Sequence, residues 1–193
     1  MTRRTFFGAA AAAAARRRPP NIIFIYADDM GWGDLACHGH PAIRTPVLDR
    51  MAAAGTDFHQ FTVANPVCSP SRAAVLTGHF PARYSIHQHF ASHQQNAQRG
   101  MPDWLDPKAP MLPRILKSAG YHTAHFGKWH LTNLDAIPAA PPPSAYGYDE
   151  SLLWNGPCPC AVDNITEPGD HPKEFAAYGT AAAVSGALRF IEK

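Results

Sequence analysis

Short apolar runs alternate with polar breaks marked by proline or glycine, and their spacing predicts a succession of strands and helices. After Pro19-Pro20, the run Asn21-Ile22-Ile23-Phe24-Ile25-Tyr26-Ala27 is continuous, of strand length, and rich in β-branched and aromatic residues. Such a run predicts a strand buried on both faces of a sheet. It ends in Asp28-Asp29, two carboxylates where a parallel strand would deliver the chain to a functional edge. Thr45-Pro46 supplies the N-cap and first residue of a helix whose Val47, Leu48 and Met51 share a face and which Gly55 closes. A second strand is expected over residues 57–63. It leads through Pro66-Val67-Cys68-Ser69-Pro70 into a helix that carries Arg72, Ala73, Ala74, Val75 and Leu76 and stops near Gly78.

Residues 79–110 are polar and weakly periodic, which predicts loops with short helical pieces. A short helix follows over 112–119, closed by Gly120, and then a strand over 121–126 that runs into Gly127-Lys128-Trp129-His130. Residues 138–143 are proline-rich and predict a stiff extended loop. Residues 177–193 read as a helix with Ala183, Ala187, Leu188 and Ile191 as its buried face. The alternation argues for an α/β layered domain, and there is no internal repeat. A crossover helix calls for a following strand. None precedes Lys193, so the fold is expected to be incomplete at its C-terminus.

Composition changes little in this picture. With 46% hydrophobic and 17% charged residues, the 193-residue chain has the makeup of one globular domain with a real core. The net charge of +2 is uneven: Arg3, Arg4, Arg16, Arg17 and Arg18 lie in an acid-free N-terminus, and the remainder holds 12 basic against 15 acidic residues, a net of −3. Bulk charge therefore gives no case for a nucleic-acid partner. Residues 1–18 resemble a Tat export signal, a twin arginine before the apolar stretch from Phe6 to Ala15. That stretch is well short of the roughly 20 apolar residues of a stable membrane span, so the expected location is periplasmic or extracellular. Arg16-Arg17-Arg18 is an unusual flank for such a signal, since positive charge there hinders translocation. Four cysteines, Cys37, Cys68, Cys158 and Cys160, are too few and scattered for a disulfide scaffold, and Cys158-Pro159-Cys160 reads as a surface turn rather than a zinc or redox motif.

The chemistry concentrates in four motifs. In chain order they are Asp28-Asp29-Met30-Gly31-Trp32-Gly33-Asp34, then Arg44-Thr45-Pro46-Val47-Leu48-Asp49, then Cys68-Ser69-Pro70-Ser71-Arg72 with Ala73-Ala74-Val75-Leu76-Thr77-Gly78, and finally Gly127-Lys128-Trp129-His130-Leu131. Tyr146-Gly147-Tyr148-Asp149 continues the series more weakly. Together they resemble the formylglycine-dependent, cysteine-type sulfatases, over a stretch from about Asn21 to Leu131, and four motifs in one order are far more specific than any one of them.

The resemblance implies an alkaline-phosphatase-like three-layer sandwich with a mainly parallel central sheet, residues 19–193 being the N-terminal part of its catalytic domain. It implies a sulfuric ester hydrolase whose Cys68 is oxidised to formylglycine by a maturation enzyme, its partner alongside the sulfate ester substrate. Arg72, Lys128 and His130 are the other catalytic residues it implies, with Asp28, Asp29 and modified Cys68 as ligands of one Ca²⁺. The physical logic agrees. A thiol attacking sulfur would leave a thiosulfonate with no easy exit, whereas an aldehyde hydrate attacks through one hydroxyl and expels sulfate through the other. A helix N-terminus beneath it offers backbone N–H groups to an anion.

Two carboxylates and a hydrate oxygen fall short of the about six to eight oxygens that Ca²⁺ takes. The remaining ligands are expected beyond Lys193, and this chain alone is expected to bind Ca²⁺ weakly and hydrolyse sulfate esters slowly or not at all. Two other readings stand beside the sulfatase one: a phosphonate or phosphate monoester hydrolase of the same superfamily, and a catalytically silent fragment or binding module. A cysteine-phosphatase pairing of Cys68 with Arg72 fits poorly, because that chemistry uses five intervening residues and here there are three. His87, His89 and His93 have spacing that could suit Zn²⁺, but without nearby acids they read as exposed loop histidines. Cys37-His38-Gly39-His40 reads as a loop.

Overall fold

The computed structural model describes residues 19–133, 140–155 and 179–193. The signal-like segment 1–18, part of the proline-rich run 138–143, and the Cys158-Pro159-Cys160 turn lie outside the described residues. The chain divides into two compact units, residues 1–49 and 50–193.

In the first unit the run 21–27 is not a strand. Ile22, Ile23, Phe24 and Ile25 are 54%, 67%, 55% and 73% exposed. The expectation fails for a physical reason: β-preference is expressed through pairing and burial, and among the described residues no strand of this unit pairs with the run. Beyond Asp28-Asp29 the chain makes two 3-10 turns, Trp32–Asp34 and Ala36–His38. His38 stacks on Trp32 with ring centroids 4.2 Å apart, and its Nδ1 bonds the Trp32 carbonyl at 2.8 Å. Asp49 gathers the end of the unit by accepting from Thr45 Oγ1 (2.8 Å) and the Cys37 N–H (3.0 Å). These bonds hold the first turn of helix α1, Pro46–Ala54, which has no buried residue.

In the second unit the strand expected over 57–63 is also absent, and Phe58, Phe61 and Val63 are 67%, 70% and 52% exposed. Helix α2, Cys68–Thr77, forms where the motif predicts it, and Gly78 ends it in a left-handed conformation with its N–H on the Ala74 carbonyl. Two short helices follow, α3 (His93–Gln98) and α4 (Leu112–Ser118). The polar stretch 79–110 is more than loop: Ile86, Phe90, Met101 and Leu105 from it enter the core around Trp129 and Tyr146. Its polarity hides these positions because they follow no helical or strand period.

Strand β1 spans Ala124–Lys128, three residues later than the 121–126 expected. Thr123 is occupied otherwise, with its N–H and hydroxyl on the Asp149 carboxylate and its carbonyl accepting from the Asp149 N–H. Strand β2, Glu150–Trp154, was not foreseen from the sequence; it pairs with β1 in parallel, Phe126 opposite Leu152 and Lys128 opposite Trp154. Helix α5, Gly179–Ile191, packs on β1. Its buried positions are Ala182 and Gly186, with Leu188 and Ile191 53% and 52% exposed, so the predicted face is rotated. The cause is close approach: a Cβ at Gly186 would stand 2.5 Å from Phe126 Cδ1, so glycine seats the helix there.

Gly147 closes the core beneath the crossover. Its φ of 107° lies in the region that favours glycine, and a Cβ there would meet the Arg114 backbone N at 2.7 Å. Arg114 reciprocates, donating from Nη2 to the Ala145 and Pro107 carbonyls at 2.7 and 2.6 Å.

Candidate functional site

Helix α2 brings Cys68 to its first turn after Val67, which is extended and offers no capping side chain. The backbone N–H groups of the first turn therefore have no side-chain cap at Val67, and Pro70 has no N–H to offer. Cys68 is half-buried and in no disulfide. Ser69 to Ala73 are buried, and Arg72 is only 5% exposed. A buried guanidinium needs acceptors; Arg72 Nη1 donates to the Lys128 carbonyl at 2.7 Å. The helix that begins at Cys68 is thereby tied to the end of β1, across 56 residues of sequence.

A second tie runs through Phe90. Its N–H donates to Ser69 Oγ (3.0 Å), and its carbonyl accepts from His130 Nε2 (2.9 Å). Two of the sequence-predicted residues, Lys128 and His130, are thus joined to the helix that bears two others, Cys68 and Arg72. Ser69, Phe90 and Asn155 are the supports that sequence reasoning missed. Ser69 lies within the Cys68 motif and could have been suspected; Phe90 and Asn155 act through backbone atoms or through long-range contacts that leave no local pattern.

His130 is held in a strained setting. Its φ of 51° is left-handed, its N–H donates to the buried Asn155 Oδ1 at 3.0 Å, and Asn155 Nδ2 donates onward to Thr132 Oγ1 at 2.6 Å. Because Nε2 donates to a carbonyl, the neutral ring carries its lone pair on Nδ1, which is buried without a hydrogen-bond partner among the described residues. Burial pushes the His130 pKa down to about 4, with the positive charges of Lys128 and Arg72 adding to this and the Phe90 bond opposing it. The ring is a neutral acceptor at ordinary pH.

His125 sits behind the site, edge-on to Trp129 and Tyr148, with Nε2 3.3 Å from the same Lys128 carbonyl that Arg72 uses. Burial, and then the Arg72 charge, take its pKa to about 4. Of the three histidines at 87, 89 and 93, His87 and His93 are exposed, and His93 pairs with Asp103 at 2.5 Å. His93 departs from the loop expectation as the first residue of α3, and His89 lies in a loop but departs in exposure: it is half-buried, its ring centroid 6.3 Å from that of His130.

Asp28 and Asp29 belong to the first unit, where both are exposed and Asp29 has φ 54°. Among the described residues no group of three or more His, Cys, Asp or Glu could hold a metal ion. The two carboxylates suit a hard divalent cation in kind, but their number falls short of a Ca²⁺ shell. No helix among the described residues is long and apolar enough to cross a membrane.

Comparison with known proteins agrees with these motifs. The Sulfatase family model matches residues 20–169. N-acetylgalactosamine-6-sulfatase of Canis lupus familiaris is 44% identical over 156 residues, covering 77% of this chain and 28% of that protein. Arylsulfatase A of Homo sapiens is 42% identical over 111 residues, 58% of this chain and 21% of that protein. The chain spans less than a third of the length of these relatives. Among solved structures, the crystal structure of Ps i-CgsB superposes with a TM-score of 0.61 at 33% identity, covering 72% of this chain and 29% of that one. The fold is accordingly α/β and alkaline-phosphatase-like, and the parallel β1–β2 pair is part of it. With the Cys68 helix tied to the Lys128-Trp129-His130 turn and the family model spanning most of the residues between Pro20 and Gly169, the chain belongs to the sulfatase family.

Proposed function

We propose that this chain carries the nucleophile and anion-binding half of a sulfate ester hydrolase, residues 19–193 forming the N-terminal part of its catalytic domain. The observation that carries the reading is the double tie, Arg72 to the Lys128 carbonyl and Ser69 through Phe90 to His130, which gathers a cysteine-bearing helix N-terminus, a lysine and a neutral histidine. Backbone N–H groups at that N-terminus and the Arg72 and Lys128 charges favour an anion of sulfate type. His130 Nδ1, with its lone pair, takes or returns a proton at the nucleophile.

Cys68 converted to formylglycine and hydrated supplies a hydroxyl for attack on sulfur and a second hydroxyl whose deprotonation expels sulfate, restoring the aldehyde. Asp28 and Asp29 would contribute two oxygens to a Ca²⁺, which would supply charge neutralisation at the sulfate oxygens. The segment 1–18 would direct export, bringing the product to the periplasm or beyond.

The test joins maturation with binding. Co-expression with a formylglycine-generating enzyme is expected to remove about 18 Da from the Cys68 tryptic peptide, the atom count for thiol to aldehyde at an activated nucleophile. Inorganic sulfate is expected to shift the resonances of Lys128 and His130. A peptide that keeps its thiol mass, or sulfate that moves neither residue, counts against the reading.

A further inference from the structure

The two curated relatives above are named for different sulfate esters, a sugar and an aryl group, and the motif residues do not choose between them. His89 does. Its backbone N–H and its Nδ1 both lie 3.0 Å from the Gln88 side-chain Oε1, an acceptor, so Nδ1 carries the proton. Nε2 therefore presents a lone pair, and it has no hydrogen-bond partner among the described residues. The ring is positioned from both sides. Phe90, the next residue, is tied to Ser69 and to His130, and Arg99 Nη1 holds the His89 carbonyl at 3.1 Å.

We infer that His89 is a specificity-determining residue whose Nε2 accepts a hydrogen bond from a substrate hydroxyl near the sulfate ester, selecting carbohydrate sulfates over aryl sulfates. This rests on the sulfate ester reading proposed above. The cluster of cationic groups around the site explains why an acceptor stands out: Lys128, Arg72 and Arg99 are donors, and sulfate oxygens only accept. A lone pair adds nothing to sulfate binding, but it does match an O–H. A phenyl group has none to offer, whereas a sugar ring carries several. Burial, followed by the charges of Arg99 and Lys128, lowers the His89 pKa, in the direction that favours the free lone pair.

Binding to the full chain tests the assignment without requiring turnover. Dissociation constants for N-acetylgalactosamine 6-sulfate and for inorganic sulfate are measured on the wild type, H89F and H89Q. The preference for the sulfated sugar is expected to fall about tenfold in H89F, the scale of one lost hydrogen bond. It is expected to stay within about threefold in H89Q, whose side-chain carbonyl can accept in place of Nε2. An equal preference in wild type and H89F would overturn the role of His89 while leaving the sulfate site intact. Failure of the wild type to bind sulfate at all would overturn both readings.

Discussion

Replacing Asn155 by alanine probes how the His130 ring is held. Asn155 is fully buried, and its two side-chain bonds reach the His130 N–H and the Thr132 hydroxyl. The left-handed backbone of His130 costs about 1–2 kcal/mol for a residue with a Cβ, and the Asn155 bond is one of the interactions that oppose its relaxation. Asn155→Ala removes two bonds worth about 1 kcal/mol each and strands a buried N–H, for a total near 2–4 kcal/mol. Thr132→Val removes the outer bond alone but leaves the buried Asn155 Nδ2 without its acceptor, and should cost about 1–3 kcal/mol. Urea denaturation followed by the fluorescence of the buried Trp129 gives both values, and the ¹⁵N shifts of the His130 ring report its setting. If Asn155→Ala costs no more than Thr132→Val and leaves the His130 ring signals in place, Asn155 does not hold His130.

Two further expectations follow from burial and backbone geometry. His125 and His130 titrate near pH 4 in the fold against 6.5 when unfolded, so the unfolded chain takes up protons that the fold refuses. Stability is fully present above pH 6.5 and falls as the pH drops toward 4, by roughly 3 kcal/mol for His130 alone; a urea midpoint that stays flat from pH 6.5 to 4.5 would refute this. Asp149, held at about 2 by its bond from Lys117 and the Thr123 N–H, weakens the fold only below that window, as the pH falls under its ordinary 3.8. Gly147→Ala drives a Cβ against the Arg114 backbone at a φ of 107°, and should cost about 3 kcal/mol or more; a calorimetric melting temperature equal to wild type would show that the crossover yields more easily than its packing implies.

Some of this was legible in the sequence because the signals were local. Helix α2 is announced by Pro70 in its first turn and by Gly78 at its end, and the Cys68, Arg72, Lys128 and His130 motifs are continuous enough to be read one by one. What could not be read was set by tertiary partners. The run 21–27 has strand composition, but composition cannot supply the neighbour that a strand needs. Strand β2 was invisible because Glu150-Ser151-Leu152-Leu153-Trp154 has no alternation, and its register is fixed by β1. The face of α5 turned on Gly186, an apparent weak point in a helix that proves to be where the helix meets Phe126. The supports of the site, Ser69, Phe90 and Asn155, act across 21, 40 and 25 residues, distances at which no periodicity survives.

The parallel pairing of β1 with β2 has a consequence for how this region can change over time. Lys128 and Trp154 end their strands side by side, and His130 and Asn155 follow as bonded neighbours. Their alignment is a matter of counting along two ladders, so loss or gain of a single residue within 124–130 or 150–155 would turn every later side chain to the opposite face. The connection between the strands is under no such count, since lengthening a loop costs little. Inherited variation should therefore divide by kind: substitutions in either place, but changes of length confined to the crossover, with the two strands keeping the same number of residues between their fixed points.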